Sequence, residues 1–265
     1  MHTSSTHLIV GASSGIGRSL ALTLARERKC VALVGRSEER LTRVAREVAM
    51  FGGEPLVLLS DVRDPVSIQA ALAQITLRGQ RIESAILSSG VGLSTEPEEF
   101  TSETLETMLA TNVLGVAHWL EALQPLLKAQ PGGATVGVIS SLAADRAFPG
   151  EGAGYSASKA AVSQLCDGLR APWAAQGIRL VTIAPGFIRT PMTSGIAGMP
   201  FLMEPEDAAR VIWGGLRRGQ SVVRFPLMAS MFMAAVRLLP PGVLDRLYRV
   251  PLGQPGAGTD RDKPA

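Results

Sequence analysis

The feature that most constrains this fold is a regular alternation of short apolar runs with amphipathic helical patterns. The apolar runs occupy residues 8–10, 30–34, 56–59, 84–88, 135–140 and 178–184. Helical patterns follow them, including a long one over residues 101–128 and another over 155–176. Near-continuous apolar strands separated by helices are typical of a parallel sheet covered on both faces. We therefore predict an α/β fold, a doubly wound parallel sheet in a single domain over residues 1–252.

The composition argues against several classes of protein. A chain of 265 residues with 46% hydrophobic residues can bury a sizeable core. Its net charge of +3 is spread along the chain, so we expect no nucleic-acid partner. The histidines His2, His7 and His118 do not combine with Cys, Asp or Glu at metal-ligand spacing, and no metal site is predicted.

The cysteines and the apolar segments bear on cellular location. Cys30 and Cys166 each lie in an apolar run, which predicts buried free thiols in preference to a disulfide. The N-terminus lacks the basic region of a signal peptide, and the longest near-apolar stretch, 225–236, is too short to span a bilayer. We predict a cytoplasmic protein.

A glycine-rich turn, G-A-S-S-G-I-G, joins the first strand to the first helix. Glycines allow a sharp turn and the close approach of a pyrophosphate, while the helix N-terminus supplies amide donors and a positive dipole. A tight turn without a ligand is the alternative, but the position after the opening strand favours a dinucleotide site. The candidate cofactor contacts here are Gly11, Ser13, Ser14, Gly15, Ile16 and Gly17.

The end of the second strand bears on the choice between NAD and NADP. Proteins that bind NAD often place an acid there, which accepts hydrogen bonds from the ribose. This chain has Val-Gly-Arg-Ser at residues 34–37, and the Arg36 guanidinium suits a 2′-phosphate, although a solvated surface arginine is the alternative. We predict NADP(H) in preference to NAD(H). Asp61 and Val62, after the third strand, are weaker candidates for the adenine, and Asp61 is equally explained as a turn residue.

Two residues at the start of the helix after strand five carry candidate chemistry. Tyr155 and Lys159 are four residues apart, so they project from nearly the same helix face. A phenol with an ordinary pKa of about 10 is a poor acid at neutral pH, and a nearby ammonium favours the phenolate. The chain contains two tyrosines and four lysines, which makes this pair more informative.

Polar residues near the same sheet edge complete the candidate site. Ser140 and Ser141 end strand five, where a hydroxyl can bind a substrate carbonyl, although strand-end turn chemistry explains Ser140 better. Asn112 interrupts a helical pattern, either as a packing or kink residue or as the anchor of a proton-relay water.

Four motifs in register resemble the short-chain dehydrogenase/reductase family over about residues 7–225. They are G-A-S-S-G-I-G, the I-S-S of strand five, Y-S-A-S-K and the P-G-F-I-R-T that begins at Pro185. The resemblance implies a Rossmann-type fold and hydride transfer between a nicotinamide and a carbonyl or secondary alcohol. It implies that Tyr155 is the general acid/base, with Lys159 as modifier of its pKa and ribose ligand. It further implies that Ser141 orients the carbonyl and Asn112 serves the relay. The implied cofactor contacts at this end are Gly90, Tyr155, Lys159, Pro185, Gly186, Ile188 and Thr190.

The chain departs from the family pattern in two places. It has Ser-Ser-Gly at residues 88–90, where the family usually has Asn-Ala-Gly, so the stabilising contacts of that Asn are missing. The interval from Ser141 to Tyr155 is one residue longer than the commonest spacing, which keeps Ser140 as a minor candidate.

The C-terminal third contains the candidate substrate elements. Residues 190–203 combine Pro and Gly with apolar side chains and are predicted to form a substrate lid, with a plain surface loop as the alternative. Residues 225–250 form an apolar helical extension that is costly to leave exposed. Packing on the core or on another subunit is the favoured explanation. The alternatives are a lipophilic pocket and a membrane surface, where Arg237, Arg246 and Arg249 would contact anionic headgroups. Residues 253–265 are predicted to be a disordered tail.

The sequence therefore predicts an NADP(H)-dependent oxidoreductase that acts on a hydrophobic ketone or oxoacyl-type substrate and forms a homo-oligomer. One alternative is an NAD-dependent alcohol dehydrogenase of the same fold. The other is a nucleotide-sensing Rossmann protein without turnover, against which the set Asn112, Ser141, Tyr155 and Lys159 argues.

Overall fold

Seven parallel strands form one sheet in the order β3-β2-β1-β4-β5-β6-β7. The computed structural model describes residues 5–94, 101–147, 152–194, 196 and 198–249. The strands are β1 (Ser5–Val10), β2 (Cys30–Gly35), β3 (Glu54–Leu59), β4 (Arg81–Leu87), β5 (Ala134–Ile139), β6 (Ile178–Pro185) and β7 (Val222–Phe225). The chain order reverses between β1 and β4, which is where doubly wound sheets bind their ligands.

Helices cover both faces of the sheet. They are α1 (Gly15–Arg26), α2 (Glu38–Met50), α3 (Pro65–Leu77), α4 (Ser102–Met108), α5 (Gly115–Ala129), α6 (Ala153–Ala174), α7 (Pro205–Arg217), α8 (Leu227–Leu238) and α9 (Pro241–Arg249). Buried side chains of α3, α5 and α6, with Trp119 and Trp173 the largest, pack on one face. Those of α1, α2 and α7 pack on the other. This arrangement confirms the predicted Rossmann-type α/β fold.

Local sequence explains how two of these helices begin. The Ser37 hydroxyl accepts a hydrogen bond from the Arg40 N–H at 3.3 Å and caps α2. The Asp64 carboxylate accepts one from the Val66 N–H at 3.0 Å and caps α3. Pro65 occupies the first position of α3, where its missing N–H costs nothing. These caps fix the direction in which the chain leaves the carboxyl ends of β2 and β3.

The six predicted strands all form, with ends that differ by up to three residues. Helix α7 and strand β7 were not predicted from the sequence. The long helical region predicted over residues 101–128 is confirmed, and within it a π-helical turn (Leu109–Leu114) lies between α4 and α5. Asn112 lies in this turn and is its one buried residue.

The thiols and the C-terminal segment differ in part from expectation. Both cysteines are free; Cys166 is buried as predicted, whereas Cys30 is partly exposed and donates to the Glu54 carboxylate at 2.9 Å. No helix among the described residues has the length and hydropathy to cross a membrane. In the same part of the chain, no three His, Cys, Asp or Glu side chains lie close enough to hold a metal ion. The predicted tail at 253–265 lies outside the described residues.

Candidate active site

A cleft of about 320 Å³ lies along the carboxyl edge of the sheet, at the reversal between β1 and β4. It brings together nearly all of the residues that the sequence predicted for the site. The predicted residues that line it are Gly11, Ser13, Ser14, Gly15, Ile16, Arg36, Asp61, Val62, Gly90, Ser141, Tyr155, Lys159, Pro185, Gly186, Ile188 and Thr190. Gly17 and Asn112 do not line the cleft and lie behind it.

The glycine-rich turn has the shape that a pyrophosphate requires. Gly11 and Gly15 have positive φ angles of 84° and 53°, which side chains disfavour. A Cβ at Gly17 would collide with the Gly11 carbonyl oxygen, so glycine lets α1 begin directly against the turn. Among the described residues, the side chain of Ser14 at the N-cap of α1 makes no capping hydrogen bond. The amide donors and positive dipole at this helix end therefore fit a phosphate group.

Charged groups surround the end of the cleft beside β2 and β3. Arg36 and Arg40 line it, and Arg36 Nη1 lies 4.0 Å from Asp61 Oδ2. Asp61 is bound much more closely by Arg63, at 2.7 Å for the shortest contact. These hydrogen bonds from Arg63 lower the pKa of Asp61 to about 2, against the opposing effect of burial. Asp61 thus both lines the cleft and holds the turn after β3.

Lys159 is buried beside Tyr155 at the other end of the cleft. Its Nζ donates a hydrogen bond to the Ile139 carbonyl oxygen at 2.9 Å and lies 5.7 Å from the centre of the Tyr155 ring. Burial lowers the pKa of Lys159 to about 8. The ammonium is therefore still mostly present at neutral pH.

The phenol of Tyr155 makes a hydrogen bond with the Ser141 hydroxyl. Burial raises the pKa of Tyr155, and the hydrogen bond with Ser141 opposes this only in part. This direction is opposite to the lowering that we expected from Lys159. Burial therefore keeps the phenol protonated at neutral pH and makes it a weaker acid than a free tyrosine.

The two serines at the end of β5 have different environments. The Ser140 hydroxyl donates to the Lys159 carbonyl oxygen at 3.0 Å and lies 2.7 Å from the Ser163 hydroxyl, so it is engaged with α6. The Ser141 hydroxyl accepts from the Ala143 N–H at 3.1 Å and meets Tyr155. Ser141 is therefore the better placed of the two to orient a substrate oxygen.

Asn112 is fully buried and ties the loop after β4 to α6. Its amide oxygen accepts from the Val91 N–H at 2.8 Å. Its amide nitrogen donates to the Val91 carbonyl at 2.9 Å and to the Ser158 hydroxyl at 3.0 Å. A Cβ at Gly90 would lie 3.3 Å from the Asn112 amide oxygen and 3.4 Å from Lys159 Nζ, which explains a glycine there. These contacts give the side chain a packing role; the relay role that the resemblance implies stays a prediction.

Sequence reasoning missed three residues that support the site. Ser158 joins Asn112 to the Tyr155 carbonyl, to which it donates at 2.7 Å, and its position three residues after Tyr155 was the available signal. Gly115 begins α5 where a Cβ would lie 2.6 Å from a methyl group of Val62. The Thr193 hydroxyl accepts from the Thr190 N–H at 3.0 Å and fixes the turn after β6.

The predicted lid, residues 190–203, begins at the cleft, and Ile196 and Phe201 farther along it are exposed. Thr190, Pro191, Met192 and Thr193 line the cleft. A Cβ at Gly92 would lie 3.3 Å from the Met192 sulfur and 3.7 Å from the Tyr155 ring, so Met192 approaches the candidate acid. Residues 195 and 197 of this segment lie outside the described residues.

The apolar extension packs beside the site through one face of α8. Its small and apolar residues Ala229, Met233 and Val236 are buried, and a Cβ at Gly186 would lie 3.5 Å from that of Ala229. The other face is apolar but exposed, to between 51% and 84%, at Leu227, Met228, Met231, Phe232 and Leu238. The core therefore covers only part of this helix.

The comparisons with known proteins identify the family. The sequence profile described as short chain dehydrogenase matches residues 5–199, which is most of the chain. The chain belongs to the short-chain dehydrogenase family. This short-chain dehydrogenase is therefore an NAD(P)-dependent oxidoreductase, as the four motifs predicted.

Relatives and solved structures agree with this membership. A protein called an uncharacterized oxidoreductase from Myxococcus xanthus is 34% identical over 92% of this chain and 96% of its own length. A short-chain dehydrogenase from Burkholderia cenocepacia, solved in complex with NADP, has a TM-score of 0.78 at 23% identity, over 92% of this chain and 98% of its own. One from Burkholderia phymatum, solved in complex with NAD, has a TM-score of 0.79 at 19% identity, over 92% and 95%. At these identities the two structures show the shared fold.

Proposed function

We propose that the protein is an NADP(H)-dependent reductase of a hydrophobic ketone or oxoacyl-type substrate. The observation that carries this proposal is the geometry of one cleft, in which the Tyr155 phenol meets the Ser141 hydroxyl and lies beside Lys159, with the glycine-rich turn along the same cleft. A sensor that only binds nucleotide has no need of a buried proton donor next to a hydroxyl that can hold a carbonyl.

The side chains divide the reaction among them. The Ser141 hydroxyl donates a hydrogen bond to the substrate carbonyl oxygen and stabilises its developing negative charge. Tyr155 transfers its proton to that oxygen, and the Lys159 ammonium, 5.7 Å from the ring centre, stabilises the phenolate that remains. A bound NADPH supplies the hydride to the carbonyl carbon. The ketone thus gains one hydride and one proton and becomes a secondary alcohol.

Two arginines support the preference for NADP(H). Arg36 and Arg40 line the cleft beside β2, and the carboxylate nearby, Asp61, is already bound by Arg63. An arginine fork suits a 2′-phosphate, which NAD lacks. Proteins of the same fold bind NADP in one case and NAD in another, so an NAD-dependent alcohol dehydrogenase is the alternative function.

Nucleotide affinities test the cofactor preference. We expect the purified protein to bind NADPH more tightly than NADH, as measured by the fluorescence of the reduced nicotinamide. Arg36→Ala should weaken NADPH binding by roughly tenfold to a hundredfold, because a hydrogen-bonded charged group contributes about 1.5–3 kcal/mol, and leave NADH binding unchanged. Tighter binding of NADH by the unaltered protein would instead favour the alternative dehydrogenase.

The apolar side chains around the entrance support a hydrophobic substrate. Met192 lines the cleft near Tyr155, and the buried face of α8 packs through Ala229 against Gly186, which also lines the cleft. We expect kcat/KM for NADPH-dependent reduction to rise by roughly fourfold for each added methylene in a ketone series, until the pocket is filled. The assay is run with and without detergent, so that micelle formation is separated from binding. A flat or falling series contradicts this substrate class, and no turnover at all favours the sensor.

Assembly and location remain predictions. The exposed apolar face of α8 supports the homo-oligomer, in which a second copy covers Met231 and Phe232. Peripheral contact with a membrane is the alternative. The cytoplasmic location stays a prediction from the sequence.

A further inference from the structure

Three charged side chains, Arg36, Asp61 and Arg63, lie close together at the end of the cleft beside β2 and β3. Asp61 Oδ1 accepts hydrogen bonds from the Arg63 backbone N–H at 2.9 Å and from Arg63 Nε at 3.1 Å. Asp61 Oδ2 accepts from Arg63 Nη2 at 2.7 Å. Arg36 Nη1 lies 4.0 Å from the same Oδ2 atom, beyond hydrogen-bond distance. Arg63 thus engages both oxygens of the carboxylate, and Arg36 only approaches it.

This arrangement leaves Arg36 available to a ligand. The guanidinium of Arg36 is 67% exposed, and Asp61 is its one ion-pair partner among the described residues. Arg36 and Asp61 line the cleft, whereas Arg63 does not. Any influence of Arg63 on a bound nucleotide therefore acts through Asp61.

We propose that Arg63 is a positioning residue for NADP selectivity, because it holds Asp61 away from Arg36 and neutralises that carboxylate. This inference rests on the proposed preference for NADP(H). Without Arg63, Asp61 has Arg36 as its nearest cation, and the pair that forms competes with the 2′-phosphate. The carboxylate also repels the phosphate directly, since both are negative. A nucleotide without a 2′-phosphate experiences neither effect.

The test uses two nucleotide fragments that differ at the 2′ position. Adenosine 2′,5′-bisphosphate and adenosine 5′-monophosphate are titrated calorimetrically into the full chain, so the reading does not depend on turnover. Arg63→Met should weaken bisphosphate binding by roughly fivefold, the upper end of what an exposed ion pair contributes, and leave monophosphate binding unchanged. Adding Asp61→Asn to Arg63→Met removes the competing charge and should restore most of the bisphosphate affinity.

The matched control removes Arg78, which lies at the opposite end of α3 from Arg63. Arg78 follows α3, whose 13 residues place it roughly 20 Å from Arg63 along the helix axis. Arg78→Met changes the net charge by the same amount and should leave both affinities unchanged. Thermal melting of each variant shows whether it is folded.

The possible outcomes are separable. Unchanged bisphosphate affinity in Arg63→Met overturns the inference, as does an equal loss for both fragments or a failure of Asp61→Asn to restore affinity. These results leave the proposed function intact, provided that the unaltered chain prefers the bisphosphate and Arg36→Ala abolishes that preference. If the unaltered chain shows no preference and Arg36→Ala has no effect, the proposed NADP(H) preference itself fails, and the inference fails with it.

Discussion

Tyr155→Phe is expected to lower ketone reduction by at least a hundredfold, and by up to about ten-thousandfold, which is the range for loss of a positioned proton donor. The substitution removes the hydroxyl that meets Ser141 and keeps the ring that packs near Met192. The affinity for NADPH should therefore stay within about twofold of the original value, because the glycine-rich turn and Arg36 are untouched. Steady-state kinetics and fluorescence titration on the same preparation give the two values.

The adjacent serines provide a matched comparison for this prediction. Ser141→Ala removes the hydroxyl that meets Tyr155, whereas Ser140→Ala removes one that is bonded to α6. We expect the loss of turnover to be larger for Ser141→Ala. Turnover that persists in Tyr155→Phe, or a larger loss in Ser140→Ala, contradicts the assignment of the proton donor and its partner.

Lys159→Met is expected to impair turnover. It should also remove the part of the pH dependence of folding stability that the buried Lys159 causes. Burial lowers the pKa of Lys159 from its ordinary 10.5 to about 8, so the folded protein holds this proton less firmly than the unfolded chain does. Below pH 8 both states are protonated, and the buried ammonium destabilises the fold. As the pH rises from 8 to 10.5, the folded state loses the proton first and the unaltered protein gains stability. Between pH 7 and pH 9.5 this gain is about 2 kcal/mol, and Lys159→Met lacks it.

Denaturant unfolding at several pH values, without cofactor, measures this difference. Lys128→Met is the control for the loss of a lysine, because Lys128 is exposed in the last turn of α5. A gap between Lys159→Met and the unaltered protein that is the same at pH 7 and pH 9.5 would show that the ammonium carries no burial penalty.

The fold was predictable because β1, β2, β4, β5 and β6 lie inside the sheet and each contains a near-continuous apolar run. The edge strand β3 still has the apolar run 56–59. β7 differs, since it is a four-residue edge strand in which Val222 is exposed, Val223 is buried and Phe225 is buried. Such an alternating, short segment gives little signal in the sequence. The sequence marked Asn112 as an interruption of the helical pattern but could not give its hydrogen-bond partner, because Val91 lies 21 residues away.

The sequence predicted which residues lie in the candidate site, but not how burial changes the pKa of the Tyr155 phenol. The spacing of Tyr155 and Lys159 shows that they share a helix face, and they do lie side by side. The spacing does not show burial, which raises the pKa of the phenol despite the neighbouring ammonium. Arg63 could not be singled out either, since only the folded loop after β3 shows that its guanidinium meets Asp61.

The strand order has a consequence for synthesis of the chain. β1 is made first but ends up in the interior of the sheet, between β2 and β4. On the ribosome one of its edges therefore stays open until β4 has emerged, and open strand edges promote aggregation. The cofactor cleft is complete only when residues up to Thr193 have been made. A nascent or truncated chain that stops earlier lacks part of the cleft lining, and we expect it to gain less stability from the nucleotide than the full chain does.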